Sequence, residues 1–212
     1  MRPSVPRLAT VGALALGAAA VWWRHHPSAC PYGQRIWVEL PHPFITRARL
    51  REALAPEPGE RLLEVGPGTG FYTLPVAEWL GPSGRLDIVD VQQAMLDHTL
   101  RAASRRGVEN VVATNADARA LPFADATFDG AFLVTVLGEV PEQDVALREL
   151  HRVLRPGGRL VVGELFGDPH WVSPRTLRQR AQAAGLRHER SVGNRIGAFH
   201  RFAPHPPMPT KQ

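Results

Sequence analysis

The chain has one cysteine, Cys30, and one lysine, Lys211, among 212 residues. A single cysteine excludes an internal disulfide. The nine histidines show no spacing that would assemble a zinc site, and His25 and His26 simply border an apolar segment, so no metal is expected. No G-K-[ST] follows the glycine-rich stretch, which excludes a P-loop. There is no internal repeat. With lysine nearly absent, the formal net charge of +5 and sequence pI near 10.5 are carried by arginine. The arginines are scattered, with short clusters only at Arg47/Arg49/Arg51 and Arg175/Arg178/Arg180. Such scatter reads as a compositional bias rather than a nucleic-acid-binding or membrane-binding stripe.

What is present is most concentrated in Leu62-Leu63-Glu64-Val65-Gly66-Pro67-Gly68-Thr69-Gly70. Residues 61–65 read as a short apolar strand. Glycines at alternate positions then allow a tight turn and close approach of a ligand to the backbone. A helical pattern follows from near Phe71, turning Leu74, Ala77 and Leu80 inward. A strand–glycine turn–helix unit is where open α/β sheets bind nucleotides. The spacing Glu64-x-Gly66-x-Gly68-x-Gly70 differs from the G-x-G-x-x-G of nicotinamide and flavin folds. Glu64 suits a cationic ligand or the turn's own N–H groups, and would be a poor neighbour for a pyrophosphate.

Later segments continue the pattern. Residues 85–90 read as a second strand ending in Asp90, about twenty residues past the glycine turn, where a carboxylate can accept both ribose hydroxyls or cap the next helix. Residues 111–115 read as a third strand, followed by Asp117 and Ala118. Leu121-Pro122-Phe123 and Phe128-Asp129 precede a fourth strand over 130–134, with Leu121 and Phe123 plugging the core and Asp129 structural. A helix is expected to end at Arg155, with Pro156-Gly157-Gly158 forcing a turn into a fifth strand. Helices are expected over 43–55 and 173–184, and two late strands over 186–192 and 196–202, paired antiparallel at the sheet edge.

Residues 64–70 resemble the first motif of the class I S-adenosylmethionine (SAM)-dependent methyltransferases. The run through Phe71-Tyr72-Thr73 is similar to the small-molecule and lipid methyltransferases of the ubiquinone-biosynthesis type, the methyltransferase type 11 group. The resemblance extends over 61–165, several motifs in the family's order. It implies an α/β, doubly wound, Rossmann-like seven-stranded sheet, mostly parallel with an antiparallel last strand, and SAM as methyl donor. By the same resemblance Glu64, Gly66, Pro67, Gly68, Thr69 and Gly70 form the donor turn. Asp90 binds the donor ribose, Val91, Gln92 and Met95 line the adenine pocket, and Asp117 and Ala118 read the adenine amino group. Single-base nucleic-acid methyltransferases of this fold carry an Asn/Asp-Pro-Pro-aromatic motif after the fourth strand, which here reads Leu133-Val134-Thr135-Val136. Carbon-5 pyrimidine enzymes need a cysteine, and Cys30 lies outside the sheet region. A nucleic-acid substrate is therefore not expected.

Methyl transfer from a sulfonium is an in-line displacement, in which the protein aligns the nucleophile and excludes water. Candidate bases at strand ends are His170 and Glu139, with Tyr72 beside the glycine turn; Glu164 and Asp168 also follow the fifth strand. Trp37, His42 and Phe44 are candidates for a lid over the donor. The expected function is SAM-dependent methyl transfer to a small, apolar or membrane-partitioned acceptor through oxygen, nitrogen or sulfur: a lipid headgroup amine, a quinone precursor or an alkyl thiol. The alternative is an inactive SAM-binding or partner-binding protein of the same fold.

Residues 8–23 form an apolar run preceded by Arg2 and Arg7 and closed by Trp22-Trp23-Arg24. Its helical length, about 24 Å, falls short of the ~30 Å hydrocarbon core. It reads as a signal peptide, a short anchor or an interfacial helix. Because SAM is a cytosolic metabolite, membrane association through 8–23 with the catalytic domain facing the cytoplasm is expected, the alternative being a cytoplasmic protein. The chain thus divides into an apolar segment and linker (1–30), a methyltransferase domain (31–203) and a disordered proline-rich tail (204–212).

Overall fold

The computed structural model describes residues 28–31, 33 and 43–205. The apolar run 8–23, Trp37, His42 and the tail beyond 205 lie outside the described residues. Elements run α1 (Arg47–Leu54), β1 (Arg61–Val65), α2 (Thr73–Leu80), β2 (Arg85–Asp90), α3 (Gln93–Arg105), β3 (Val111–Asn115), β4 (Phe128–Val134), α4 (Gln143–Val153), β5 (Leu154–Leu165), α5 (Pro174–Ala183), β6 (Leu186–Gly193) and β7 (Gly197–Pro204). A 3-10 turn, Leu137–Glu139, follows β4.

The seven strands order as β3-β2-β1-β4-β5-β7-β6. β1 to β5 pair in parallel, and β7 runs antiparallel between β5 and β6. Strand order reverses between β1 and β4, so their carboxyl ends leave a crevice there, the usual ligand position in such sheets. Parallel strands buried on both faces need near-continuous apolar runs, and Leu62, Leu63, Ile88, Phe132 and Val161 are fully buried. Leu50, Leu54, Leu74, Leu80 and Leu96 of α1–α3 pack on one face. Leu147, Leu150, Val153, Leu177 and Ala181 of α4 and α5 pack on the other. Each such fully buried aliphatic side chain contributes roughly 1.5–3 kcal/mol.

The amino ends of the strands are tied by charge. Asp87, fully buried, takes Arg61 at 2.8 Å and Arg85 at 2.6 Å. Arg159 of β5 pairs with Glu60 at 2.5 Å and donates to the carbonyls of Leu54 and Ala55, satisfying the end of α1. Asp129 accepts from the Arg61 N–H at 2.8 Å and pairs with Arg155 at 2.5 Å, the structural role expected of it.

Several boundaries differ from the sequence reading: α5 is Pro174–Ala183, β6 runs on to Gly193, and β7 is Gly197–Pro204, so Pro204 belongs to the sheet rather than to the tail. The others lie at α1, β4 and the end of α4. α1 starts at Arg47, not Pro43, because Thr46 is its N-cap: the hydroxyl accepts from Arg49 N at 3.3 Å. β4 begins at Phe128, two residues early. α4 ends at Val153, and Pro156-Gly157-Gly158 is a bulge inside β5 rather than a helix-to-strand turn. Phe128 pairs with Leu154 and Gly130 with Arg159, so β5 accommodates three extra residues between the two pairs, with Gly157 at φ +80°.

Candidate active site

The glycine turn leaves β1 with Gly66 donating to the Val89 carbonyl at 2.8 Å, which holds it against β2. Gly66 has φ +70°, and a Cβ there would lie 2.4 Å from Val136 Cγ2. Any side chain there would be strained by this φ and would have to displace Val136. The Gly68 carbonyl accepts from the Thr99 hydroxyl at 3.0 Å, anchoring the turn to α3.

Between this turn and the carboxyl ends of β2, β3 and β4 lies a groove of about 280 Å³. Val65, Gly66 and Gly68 form its floor, Asp90 to Gln92 and Met95 one wall, Asp117 and Ala118 another, and Val134 to Val136 with Glu139 the far side. Its lining residues include three carboxylates and no arginine, lysine or histidine.

Each acid has its own environment. Asp90 closes β2, and its Oδ1 accepts from Gln92 N at 2.8 Å. Burial raises its pKa, opposed by the backbone N–H bonds. α3 is capped by Gln92 without a side-chain bond, so Asp90 braces the β2–α3 connection and lines the groove rather than serving as N-cap. Glu64 sits beneath the turn, 2% exposed, and accepts from the Thr73 hydroxyl at 2.5 Å. Burial pushes its pKa up to about 8 against that hydrogen bond, and nearby Asp90 adds to the rise. Glu139, in the turn after β4, is likewise pushed to about 8 by burial, helped by Asp168 and Asp90. Asp117 behaves oppositely: Arg119, 2.7 Å away, lowers its pKa by hydrogen bonding.

The groove also collects residues that the sequence did not single out. Ser28, Ala29 and Cys30 lie across it. Cys30 N donates to Glu139 Oε2 at 3.2 Å, and Gln92 Nε2 donates to the Cys30 carbonyl at 2.9 Å. Cys30, read as remote from the sheet, is therefore a groove residue. Its thiol pKa is raised by burial, Glu139 and Asp168, which keeps it protonated and a poor nucleophile. Thr135, at φ +55°, turns the chain out of β4 into the groove wall. A positive φ at a β-branched residue has no local signature in sequence.

Other expected site residues fall elsewhere. Pro67 is buried within the turn, and Thr69 and Gly70 line a second cavity at its far end. The Tyr72 hydroxyl donates to the Ile45 carbonyl at 2.5 Å, and its ring meets Phe71 and Phe199 edge-on, so it braces α1 against the sheet. Burial raises its pKa. His170 is 8% exposed, its N–H bonded to Asp168 Oδ1 at 2.8 Å, and its carbonyl packs where a Gly138 Cβ would be, behind the groove wall. Glu164 is buried with its pKa pushed to about 8 by desolvation, bonded to Val172 N at 3.0 Å. Phe44 packs against Gly197 rather than among the groove-lining residues. Only Glu139, of the three catalytic candidates, lines the groove.

An acidic, cation-free, partly apolar groove fits a cationic nucleoside and opposes a pyrophosphate. Asp90 presents its carboxylate at the groove wall, and Val91, Met95 and Ala118 make the neighbouring lining apolar.

Residues 62–158 match the model of a methyltransferase domain family. The chain is 38% identical over 120 residues to the ubiquinone/menaquinone biosynthesis C-methyltransferase UbiE of Cellvibrio japonicus, covering 56% of this chain and 48% of that protein. It is 40% identical over 112 residues to the protein of the same name from Pasteurella multocida, covering 52% and 41%. The chain thus spans about half the length of the curated relatives it matches. A SAM-dependent methyltransferase from Aquifex aeolicus superposes with TM-score 0.75 at 22% identity, over 82% of this chain and 98% of that one, a likeness of fold. No helix among the described residues is long and apolar enough to cross a membrane.

Proposed function

We propose that this chain, whose core belongs to the class I SAM-dependent methyltransferases, transfers a methyl group from SAM to a carbon of a small, apolar, quinone-type acceptor. The observation that carries the reading is the groove at the sheet's switch point, lined by carboxylates and no cationic side chain. The donor supplies a methyl group activated on a positively charged sulfur. Asp90 holds the ribose diol, Asp117 and Ala118 the adenine edge, and Val91, Gln92 and Met95 its face. The turn from Gly66 to Gly68 lets the backbone approach closely, and Glu64 beneath it adds a compensating negative potential once ionised. Val136 and Val140 make the acceptor side apolar and exclude water.

Methylation at carbon rather than oxygen, nitrogen or sulfur is supported by the names of the relatives. It forms a carbon–carbon bond and requires the acceptor to give up a proton. Glu139 is the proton acceptor in this reading. Its pKa near 8 matches a weakly acidic hydroxyl better than that of an ordinary carboxylate. Residues 28–31 close the groove through the Glu139 and Gln92 bonds. Such an acceptor partitions into membranes, so peripheral association through 8–23 with the domain on the cytoplasmic side belongs to the same proposal.

Calorimetric titration of the full chain with SAM, S-adenosylhomocysteine and NAD tests the donor site. Binding of both SAM species without NAD is expected. Asp90→Ala should weaken SAM binding about 10- to 100-fold, the worth of one charge-assisted hydrogen bond. Unchanged affinity would remove Asp90 from the site.

A further inference from the structure

At the far end of the glycine turn lies a second cavity of about 430 Å³, on the other side of Thr69 and Gly70 from the donor groove's lining. Its charge is the reverse. Arg47, Arg105, Arg106 and His98 line it with Thr69, Phe71 and three others, and no acidic residue does. Among the described residues nine arginines pair with carboxylates. Arg47, Arg105 and Arg106 are among those that do not, and these three share one cavity. Arg47 uses Nε alone, donating to the Phe71 carbonyl at 3.1 Å, with its guanidinium 4.2 Å from the Phe71 ring centroid. That stacking fixes the plane of the fork and leaves both Nη groups to a ligand. Arg105 and Arg106, at the end of α3, have no ion-pair partner among the described residues. A cation at a helix carboxyl end is explained by the helix dipole. The dipole does not explain why Arg47, from another helix, faces the same cavity.

We propose that this cavity is a binding site for a phosphate-bearing anion, either a soluble organophosphate or the headgroup of an anionic lipid. Guanidinium forks match phosphate oxygens in pairs. Three exposed arginines with no acidic residue in the same lining offer a dianion a convergent set of charged donors. The space exceeds that of a bare phosphate and accommodates the group attached to it. The site is independent of the methyl acceptor and shares only the glycine turn with the donor groove.

The test uses the full chain, the exposed-site variant Arg105→Ser/Arg106→Ser, and a control of equal charge change away from the cavity, Arg148→Ser/Arg175→Ser. Titration with inorganic pyrophosphate should show saturable, salt-sensitive binding to wild type and control. The Arg105/Arg106 variant should bind about 100-fold more weakly, about tenfold for each charged hydrogen-bond donor removed. SAM affinity should be equal in all three, which separates failure here from failure of the donor site. Co-sedimentation with phosphatidylcholine vesicles, with and without phosphatidylglycerol, distinguishes the sources: added retention on the anionic vesicles over the neutral ones, lost in the Arg105/Arg106 variant but kept in the control, assigns a lipid headgroup. Pyrophosphate binding with equal retention of wild type and the Arg105/Arg106 variant on both vesicles assigns a soluble organophosphate. Equal pyrophosphate affinity in wild type and the Arg105/Arg106 variant, or an equal loss in the control, overturns the proposal.

Discussion

Glu64 allows the energetics of the donor turn to be measured. Its carboxyl is fully buried and accepts from the Thr73 hydroxyl, and its pKa lies at about 8 rather than the ordinary 4.5. Below about pH 4.5 the carboxyl is protonated folded and unfolded alike and costs nothing. As pH rises the unfolded chain ionises while the folded protein does not, so the unfolded state binds fewer protons and stability falls. The loss runs at about 1.4 kcal/mol per pH unit and is complete near pH 8, an upper estimate of roughly 5 kcal/mol. Glu64→Gln removes the ionisation and keeps an oxygen for Thr73 to donate to. Asp90, Glu139 and Glu164 remain in both proteins, so the difference between the two isolates Glu64. Urea unfolding followed by tryptophan fluorescence should show the variant gaining on wild type steadily between about pH 5 and about pH 8, then levelling. A difference that stays flat across that interval would mean that Glu64 is ionised within the fold, and the desolvation argument for the turn would be wrong.

Gly66→Ala places a methyl group 2.4 Å from Val136 Cγ2 at φ +70°. A loss of about 1–3 kcal/mol in thermal stability and a weakened SAM affinity are expected, and Val136→Ala in the same chain should recover part of both because it removes the clash but not the backbone strain. Asp87→Ala leaves Arg61 and Arg85 without their shared carboxylate. It should cost about 2–4 kcal/mol in urea unfolding with SAM affinity unchanged, since this cluster lies at the opposite ends of the strands from the groove.

The strands β1, β2 and β3 were legible to the residue because buried parallel strands have to be apolar throughout, and Leu62-Leu63 and Ile88-Val89 have no alternative reading as a surface. The glycine turn was legible because few other sequences bend a strand so tightly into a helix. Asp90 was found by its place after a strand and Asp117 through the family resemblance, and topology puts both in the groove wall. The end of α4 was not legible: Pro156-Gly157-Gly158 carries the chemistry of a turn, and whether it makes a turn or a bulge depends on β4 offering Phe128 and Gly130 as partners.

Function divided along the same line. Local sequence determined the glycine turn, the order of strands and helices, and the acids that follow the strands, because these depend on neighbours a few residues away. Only the tertiary structure decided that Glu139, but not Tyr72 or His170, lines the groove. It also brought Cys30 from far along the chain to close that groove, and gathered Arg47, Arg105 and Arg106 into one cavity. Those relations join residues from 58 to 109 positions apart. The packing of helices on the two faces of the sheet sets them, and a linear pattern of residue types does not encode that distance.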